Sequence, residues 1–297
     1  MINFLSSNWV NPALSIAISS GLFLVSGCSS ATHSAQMKND ADMAQMHHRG
    51  DEEKPHNHSS NEPNDRHSTT TQAQLTVSSD IAPNRPIPLE IQITDSAGKA
   101  VPQFDIFQEK LLHAIAISND LQFYNHIHPD YQENGKFTTT ATFPKPGNYT
   151  IFLDYKPAGE AERVSLVTVS VPGTPEAAPT PEFTRTKTID DTNIELSIPP
   201  TIKSNEDVML EFNLKEASGN PVELQPYLGE LGHLVIVQKG DQLTDSSYLH
   251  AHAMKDSPTG KVQFHTKFSQ PGTYKMWGQF NRDGQIVTAD FWVEVKP

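Results

Sequence analysis

The chain repeats itself, and a repeat dictates architecture before any single motif does. Leu89-Glu90-Ile91-Gln92-Ile93 matches Leu210-Glu211-Phe212-Asn213-Leu214, each alternating in the way a half-buried strand requires. A small-residue turn follows both, at Ser96-Ala97-Gly98 and Ala217-Ser218-Gly219. Phe143-Pro144-Lys145-Pro146-Gly147-Asn148-Tyr149 matches Phe268-Ser269-Gln270-Pro271-Gly272-Thr273-Tyr274, where Pro-Gly makes the turn and the aromatics anchor the flanking strands. The units span residues 72–171 and 183–297. A Pro-rich segment, residues 172–182, joins them and reads as a semi-rigid extended spacer.

Turn signals divide the first unit into short strands near Gln74–Val77, Pro88–Asp95, Leu111–Ser118, Phe123–His128, Lys136–Phe143, Tyr149–Tyr155 and Val164–Val171. In the second, Lys261–Phe268, Tyr274–Phe280 and Ile286–Val295 are clearest, with Asp283-Gly284 as a hairpin turn. About seven alternating strands in about 100 residues predict an all-β chain of two tandem immunoglobulin-like β-sandwich domains. The chain has one Cys, so no disulfide crosses the sheets and stability must come from two apolar cores. The formal charge of −13 leaves no basic stripe for phosphate, which excludes nucleic acid as the expected partner.

Histidine placement carries the chemistry. Unit one has His113 and then Tyr124-Asn125-His126-Ile127-His128; unit two has His233 and then Tyr248-Leu249-His250-Ala251-His252. Residues two apart on a strand share a face, so His126 and His128 are natural co-ligands, as are His250 and His252. If Ser118 lies opposite Phe123, His113 falls opposite His128, with Cβ atoms about 4.5–5.5 Å apart. Pairing His233 with His252 puts Val237 opposite Tyr248 and recovers the same face across a longer loop. Three imidazoles with an open position suit copper, or zinc as the alternative, at one site per domain. Met254 is a soft fourth candidate if its strand continues past His252. Glu109 and Glu230 could each orient an imidazole. Tyr124 and Tyr248 read as packing aromatics, Trp277 and Trp292 as core or sheet-edge residues, and His265 as surface.

The N-terminus reads as an address. Residues from Pro12 to Val25 form an apolar stretch of signal-peptide length, without a preceding Lys or Arg, and run into Leu24-Val25-Ser26-Gly27-Cys28. This resembles the bacterial lipobox, which implies a cleaved leader (residues 1–27), a lipid such as palmitate on Cys28, and anchorage to a bilayer. Ser29 implies the outer membrane in a host with two membranes. Residues 28–71 are polar and aperiodic, a tether too poor in apolar residues to order itself. They nonetheless carry Met37, Met43, Met46, His47, His48, His56, His58 and His67, donors suited to gathering copper.

Leu-Gly-His-Leu-Val-Ile-Val with the following His-x-His, then Phe-x-x-Pro-Gly-x-Tyr-Lys-Met-Trp-Gly-Gln-Phe, resembles YtkA-like domains of secreted bacterial proteins. That resemblance implies β-sandwich modules that bind copper or other heavy metals at a membrane. It covers both units and is stronger in the second. Leu112 stands in unit one where Gly232 stands in unit two, and Asp154-Tyr155 where Gln279-Phe280 stand. The expectation is a non-enzymatic cell-envelope lipoprotein, periplasmic or surface-facing, that handles copper and exchanges it with an envelope transport partner. The alternative is a structural Ig-like spacer or assembly module without a specific metal site.

Overall fold

A computed structural model describes residues 71–297. The leader, Cys28 and nearly all of the His/Met tether lie outside them. Thr71 lies inside, as the first residue of strand β1; it is buried, and its hydroxyl meets that of Tyr155 at 2.8 Å.

The first domain comprises β1 (Thr71–Val77), β2 (Pro86–Asp95), β3 (Leu112–Ser118), β4 (Tyr124–Ile127), β5 (Asp130–Tyr131), β6 (Lys136–Thr142), β7 (Gly147–Tyr155) and β8 (Arg163–Val171). The second has β9 (Thr186–Ile189), β10 (Thr192–Ser197), β11 (Ile202–Lys203), β12 (Asp207–Glu216), β13 (His233–Gln238), β14 (Tyr248–His252), β15 (Lys261–Lys267), β16 (Gly272–Arg282) and β17 (Gln285–Lys296). Sheet orders are β1-β2-β6-β5 and β4-β3-β7-β8 in the first, β15-β12-β10-β9 and β11-β17-β16-β13-β14 in the second. Both halves are therefore β-sandwiches of one topology, as the repeat predicts. No α-helix occurs among the described residues.

Each sandwich closes over its own core. Ile87, Leu89, Ile91 and Ile93 alternate inward from β2 and meet Ala114, Ile151 and Leu153 of the facing sheet. Leu210, Phe212 and Leu214 of β12 do the same against Leu234, Met276 and Phe280. Gly232 matters here: a Cβ on it would lie 3.0 Å from both Phe280 and Val262. Unit one fits Leu112 at that position. Both residues point into their cores, so this departure from the repeat lies on the side of the strand away from the histidines.

Alternation fails on the central strands. β3 is buried at all seven positions, and β7, β13 and β16 are nearly so. Strands read this way when both faces are covered. The second cover is the other domain. Ile115, Ile117, Phe152 and Val164 pack with Val235, Val237, Tyr248, Trp277 and Trp292 in one cluster between the sandwiches. The Pro-rich connection thus joins two docked faces rather than holding two modules apart. It is itself pinned by Lys145, which bonds Glu176 at 2.6 Å.

The contacts across this interface are reciprocal. Tyr124 stacks on Trp277 (5.1 Å, 15°), and Tyr248 stacks on Phe152 (4.6 Å, 17°). His113 faces His233 (6.0 Å, 28°), its own repeat equivalent. The faces are thus related by a pseudo-twofold passing between those rings, as in an isologous dimer. Lys275 is buried in the same layer, donating to Leu121 O at 2.7 Å and pairing with Asp290 at 3.0 Å, with Trp277 and Trp292 about it.

Replacing Val235 with Asp puts an unpaired carboxylate in this dry layer at a cost above about 2 kcal/mol. The domains should part while each core survives: tryptophan emission shifts to the red with an unchanged far-UV sheet signal. Unshifted emission would mean the faces are not docked in solution.

Candidate functional site

The hairpin registers are those the repeat requires. In domain two His233 pairs with His252 and Val237 with Tyr248. In domain one Ala114 pairs with Ile127 and Ile115 with His126, so the next position sets His113 opposite His128. All six histidines fall on the face that carries Ile115, Ile117, Val235 and Val237. The two sets therefore lie together at one end of the interdomain layer, not at two separate surfaces. His113 and His233 are 1% and 2% exposed. The His126 and His233 rings lie 4.6 Å apart across the boundary.

Domain one gathers its set. Ligand atoms of His113, His126 and His128 lie within 4.8 Å of one another. The hydrogen bonds behind them fix which nitrogens face inward. His113 Nε2 is 3.0 Å from the Phe107 carbonyl, which can only accept, so this nitrogen carries the proton. His126 Nδ1 is 2.8 Å from Gln279 Oε1, an assignment supported by the Tyr124 hydroxyl, which donates to the same oxygen at 3.0 Å. Each neutral ring then presents a bare lone pair from its other nitrogen. Those two, His113 Nδ1 and His126 Nε2, stand 3.0 Å apart. His128 Nε2 is buried beside them without a hydrogen-bond partner among the described residues.

Electrostatics keep these rings neutral. Burial pushes His113 below its ordinary value, with the Phe107 carbonyl acting against it and Lys110 with it. Burial and then His128 and His113 hold His126 well below that range. Burial, His113 and Lys110 bring His128 to about 4. His233 is likewise held well below, by burial and then His250. His252 moves the other way, raised by its contact with Glu230 at 3.5 Å, and its side chain is 41% exposed.

Domain two does not copy the first set. His250 Nε2 meets His233 Nε2 at 2.7 Å, but its Nδ1 turns to Asp154 Oδ2 of domain one at 3.1 Å. The metal-competent group containing His250 is Asp154, Glu162 and His250, rather than a set with His233 and His252. Met254 does not extend the strand face: β14 ends at His252, and the Met254 N–H bonds Gln263 O on the opposite sheet at 2.7 Å. Its side chain is 41% exposed. Glu230 lies beside the His252 imidazole at 3.5 Å, while its other oxygen accepts the Ala253 N–H at 2.7 Å. Glu109 instead lies across the boundary, where a Cβ on Gly229 would sit 3.8 Å from it. His265 is exposed.

Two residues complete the site that sequence reasoning did not assign. Gln279 of domain two holds His126 of domain one. Gln108 of domain one accepts from His233 Nε2 at 2.9 Å and meets His252 Nδ1 at 2.8 Å. Gln108 sits in a two-residue turn, Phe107 to Lys110, with φ of 46° and 63° at Gln108 and Glu109. Left-handed backbone at two non-glycine residues is costly and marks positions fixed by surroundings. Domain two repeats the turn at Tyr227 to Glu230, six residues before its own lone His. A cleft of about 350 Å³, lined by Tyr124, His126, Lys275, Trp277, Gln279 and Asp290 among others, reaches the site from one side.

Family comparison matches residues 67–173 and 187–297, one block per sandwich, to a single domain family. The chain belongs to the family described as Domain of unknown function (DUF8832). No curated protein matches the sequence. Among solved structures, trypsin-activated α-2-macroglobulin from Escherichia coli is 16% identical over 77% of this chain, which spans 16% of that chain, at a TM-score of 0.26. A two-domain fibronectin type III segment of chicken tenascin is 10% identical, with 76% and 99% covered, at 0.24. Invasin, a bacterial integrin-binding protein, is 15% identical, with 74% and 39% covered, at 0.22.

The depressed histidines set a pH dependence. Between the ordinary value of 6.5 and their lowered folded values, the unfolded chain binds more protons, so stability falls as pH drops through that window. His252, shifted up, contributes with the opposite sign but is partly in water. In chelator-treated protein the denaturant midpoint should fall steadily from pH 6.5 to 5, while most carboxylates are still charged. A His128→Asn variant should flatten that slope; a wild-type midpoint independent of pH over this range would contradict the assignment.

Proposed function

We propose that this chain is a non-enzymatic metal-binding lipoprotein of the bacterial cell envelope, tethered through lipid on Cys28, that handles copper at its interdomain histidines. The observation that carries this reading is the pair of lone pairs on His113 Nδ1 and His126 Nε2, aimed at each other 3.0 Å apart, with His128 Nε2 buried and unpartnered alongside. Two bare nitrogens repel at that distance. A cation among them turns repulsion into coordination, while Phe107 O and Gln279 Oε1 act as the outer acceptors that fix tautomers at metal-binding histidines.

Three neutral nitrogen donors leave a fourth position open and suit copper, with zinc as the competitor. The resemblance to YtkA-like domains favours copper. So does the tether, whose Met and His residues can collect the ion before the folded body binds it. The cleft reaching His126 offers a way in and out without unfolding, which a carrier delivering its ion to an envelope transporter needs.

The test uses full-length protein reduced and loaded with Cu(I), or loaded with Cu(II), then desalted and assayed for metal by mass spectrometry. Replacing His113, His126 and His128 together by Ala should remove one equivalent relative to wild type, the tether contribution being common to both. Equal copper in the two would favour the alternative, a structural pair of Ig-like modules whose histidines serve packing alone.

A further inference from the structure

The repeat suggests a second three-histidine site in domain two, and the structure builds something else there. β7 of domain one pairs Asp154 with Val164 of β8, and β16 of domain two pairs Gln279 with Thr288 of β17. The registers are equivalent at these pairs, so Asp154 corresponds to Gln279, while Glu162 lies just before β8. By the pseudo-twofold, each of these strand pairs faces the other domain's middle histidine. His126 therefore meets an amide, that of Gln279. His250 meets two carboxylates.

We infer that Asp154, Glu162 and His250 form a second metal site, with two oxygen donors and one nitrogen donor contributed by both domains, selective for a divalent borderline cation of the zinc class rather than Cu(I). The three ligand atoms lie within 4.8 Å of one another. Asp154 and His250 have side chains 0% and 1% exposed and are already in contact at 3.1 Å. Phe152 belongs to the interdomain cluster, and alternation along β7 carries Asp154 to the same face; Glu162 reaches it from the residue just before β8.

Charge decides the selectivity. The donor set of two carboxylates and an imidazole carries two negative charges, which match a divalent ion better than a monovalent one. Carboxylate oxygen is also a hard donor, poorly suited to Cu(I) and well suited to zinc among the borderline ions. The three-nitrogen set near Lys110 carries no negative charge of its own, so it lacks this charge preference and accepts copper or zinc. The two sites share no ligand, so this inference does not depend on the copper reading. Its mechanical corollary is that the ion clasps the domains together, because His250 and the carboxylates come from opposite sides of the interface.

The experiment titrates zinc alone into full-length protein, wild type and the variants Glu162→Gln, Asp154→Asn and His113→Ala/His126→Ala/His128→Ala, following zinc affinity and the zinc-induced rise in unfolding temperature. Glu162→Gln should weaken zinc binding at the clasp by roughly 100-fold or more, beyond what loss of an outer-sphere partner costs, and remove most of the thermal shift. It should leave copper retention unchanged. Asp154→Asn should agree with it, and since Glu162 is only partly buried, its variant stays informative if Asp154→Asn fails to fold. Unchanged zinc affinity and thermal shift in Glu162→Gln overturn the site. Loss of zinc in Glu162→Gln with copper unaffected by the triple histidine variant supports the clasp while sinking the copper reading.

Discussion

The docking of two β-sheets face to face is the contact on which everything else rests. It covers the outer faces of β3, β7, β13 and β16, so strands that would be half-wet in an isolated sandwich become dry on both sides. Stacking of Tyr124 on Trp277 and of Tyr248 on Phe152 fixes the alignment. With that alignment, the imidazoles of His113, His126, His128 and His233 are withdrawn into a low-dielectric layer that disfavours their charged forms. Neutral, oriented imidazoles are ligands; hydrated, freely rotating ones are mostly bases. The interface thus determines the chemistry of the histidines more than either domain does alone.

Much of this is legible in the sequence. The strands, their Pro-Gly and Asp-Gly turns and both hairpin registers follow from local alternation, because a pleated strand fixes which residues share a face. The docking has a local signature as well: Ala114-Ile115-Ala116-Ile117 and Leu234-Val235-Ile236-Val237 are apolar at every position, more than a one-sided strand needs. What occupies the second face cannot be read from such a run. Gln108 and Gln279 escape sequence reasoning for a related reason. Each serves the histidines of the other domain, more than 120 residues away in sequence, and no spacing rule connects them.

The pseudo-symmetry also gives meaning to a difference that looks minor on paper. Asp154 against Gln279 changes a side chain that points at a partner rather than at its own domain. A duplicated module can keep its fold and its histidines and still alter the neighbouring half-site, because each half furnishes the surroundings of the other. Divergence between copies then acts in trans: a substitution in the first domain changes what the second domain's histidine faces.

The short connection between the domains sets how tightly the two faces must hold. A covalent link of this length keeps the partners at an effective concentration on the order of millimolar, far above what two separate chains ordinarily reach. An interface of only modest intrinsic affinity therefore stays closed nearly all the time, yet reopens and recloses without either half being lost. Lys275 and its tryptophan neighbours need not form a permanent seal. Association strength can stay low while occupancy stays high, so whatever lies between the faces can be covered for long periods and still be exposed without unfolding either sandwich.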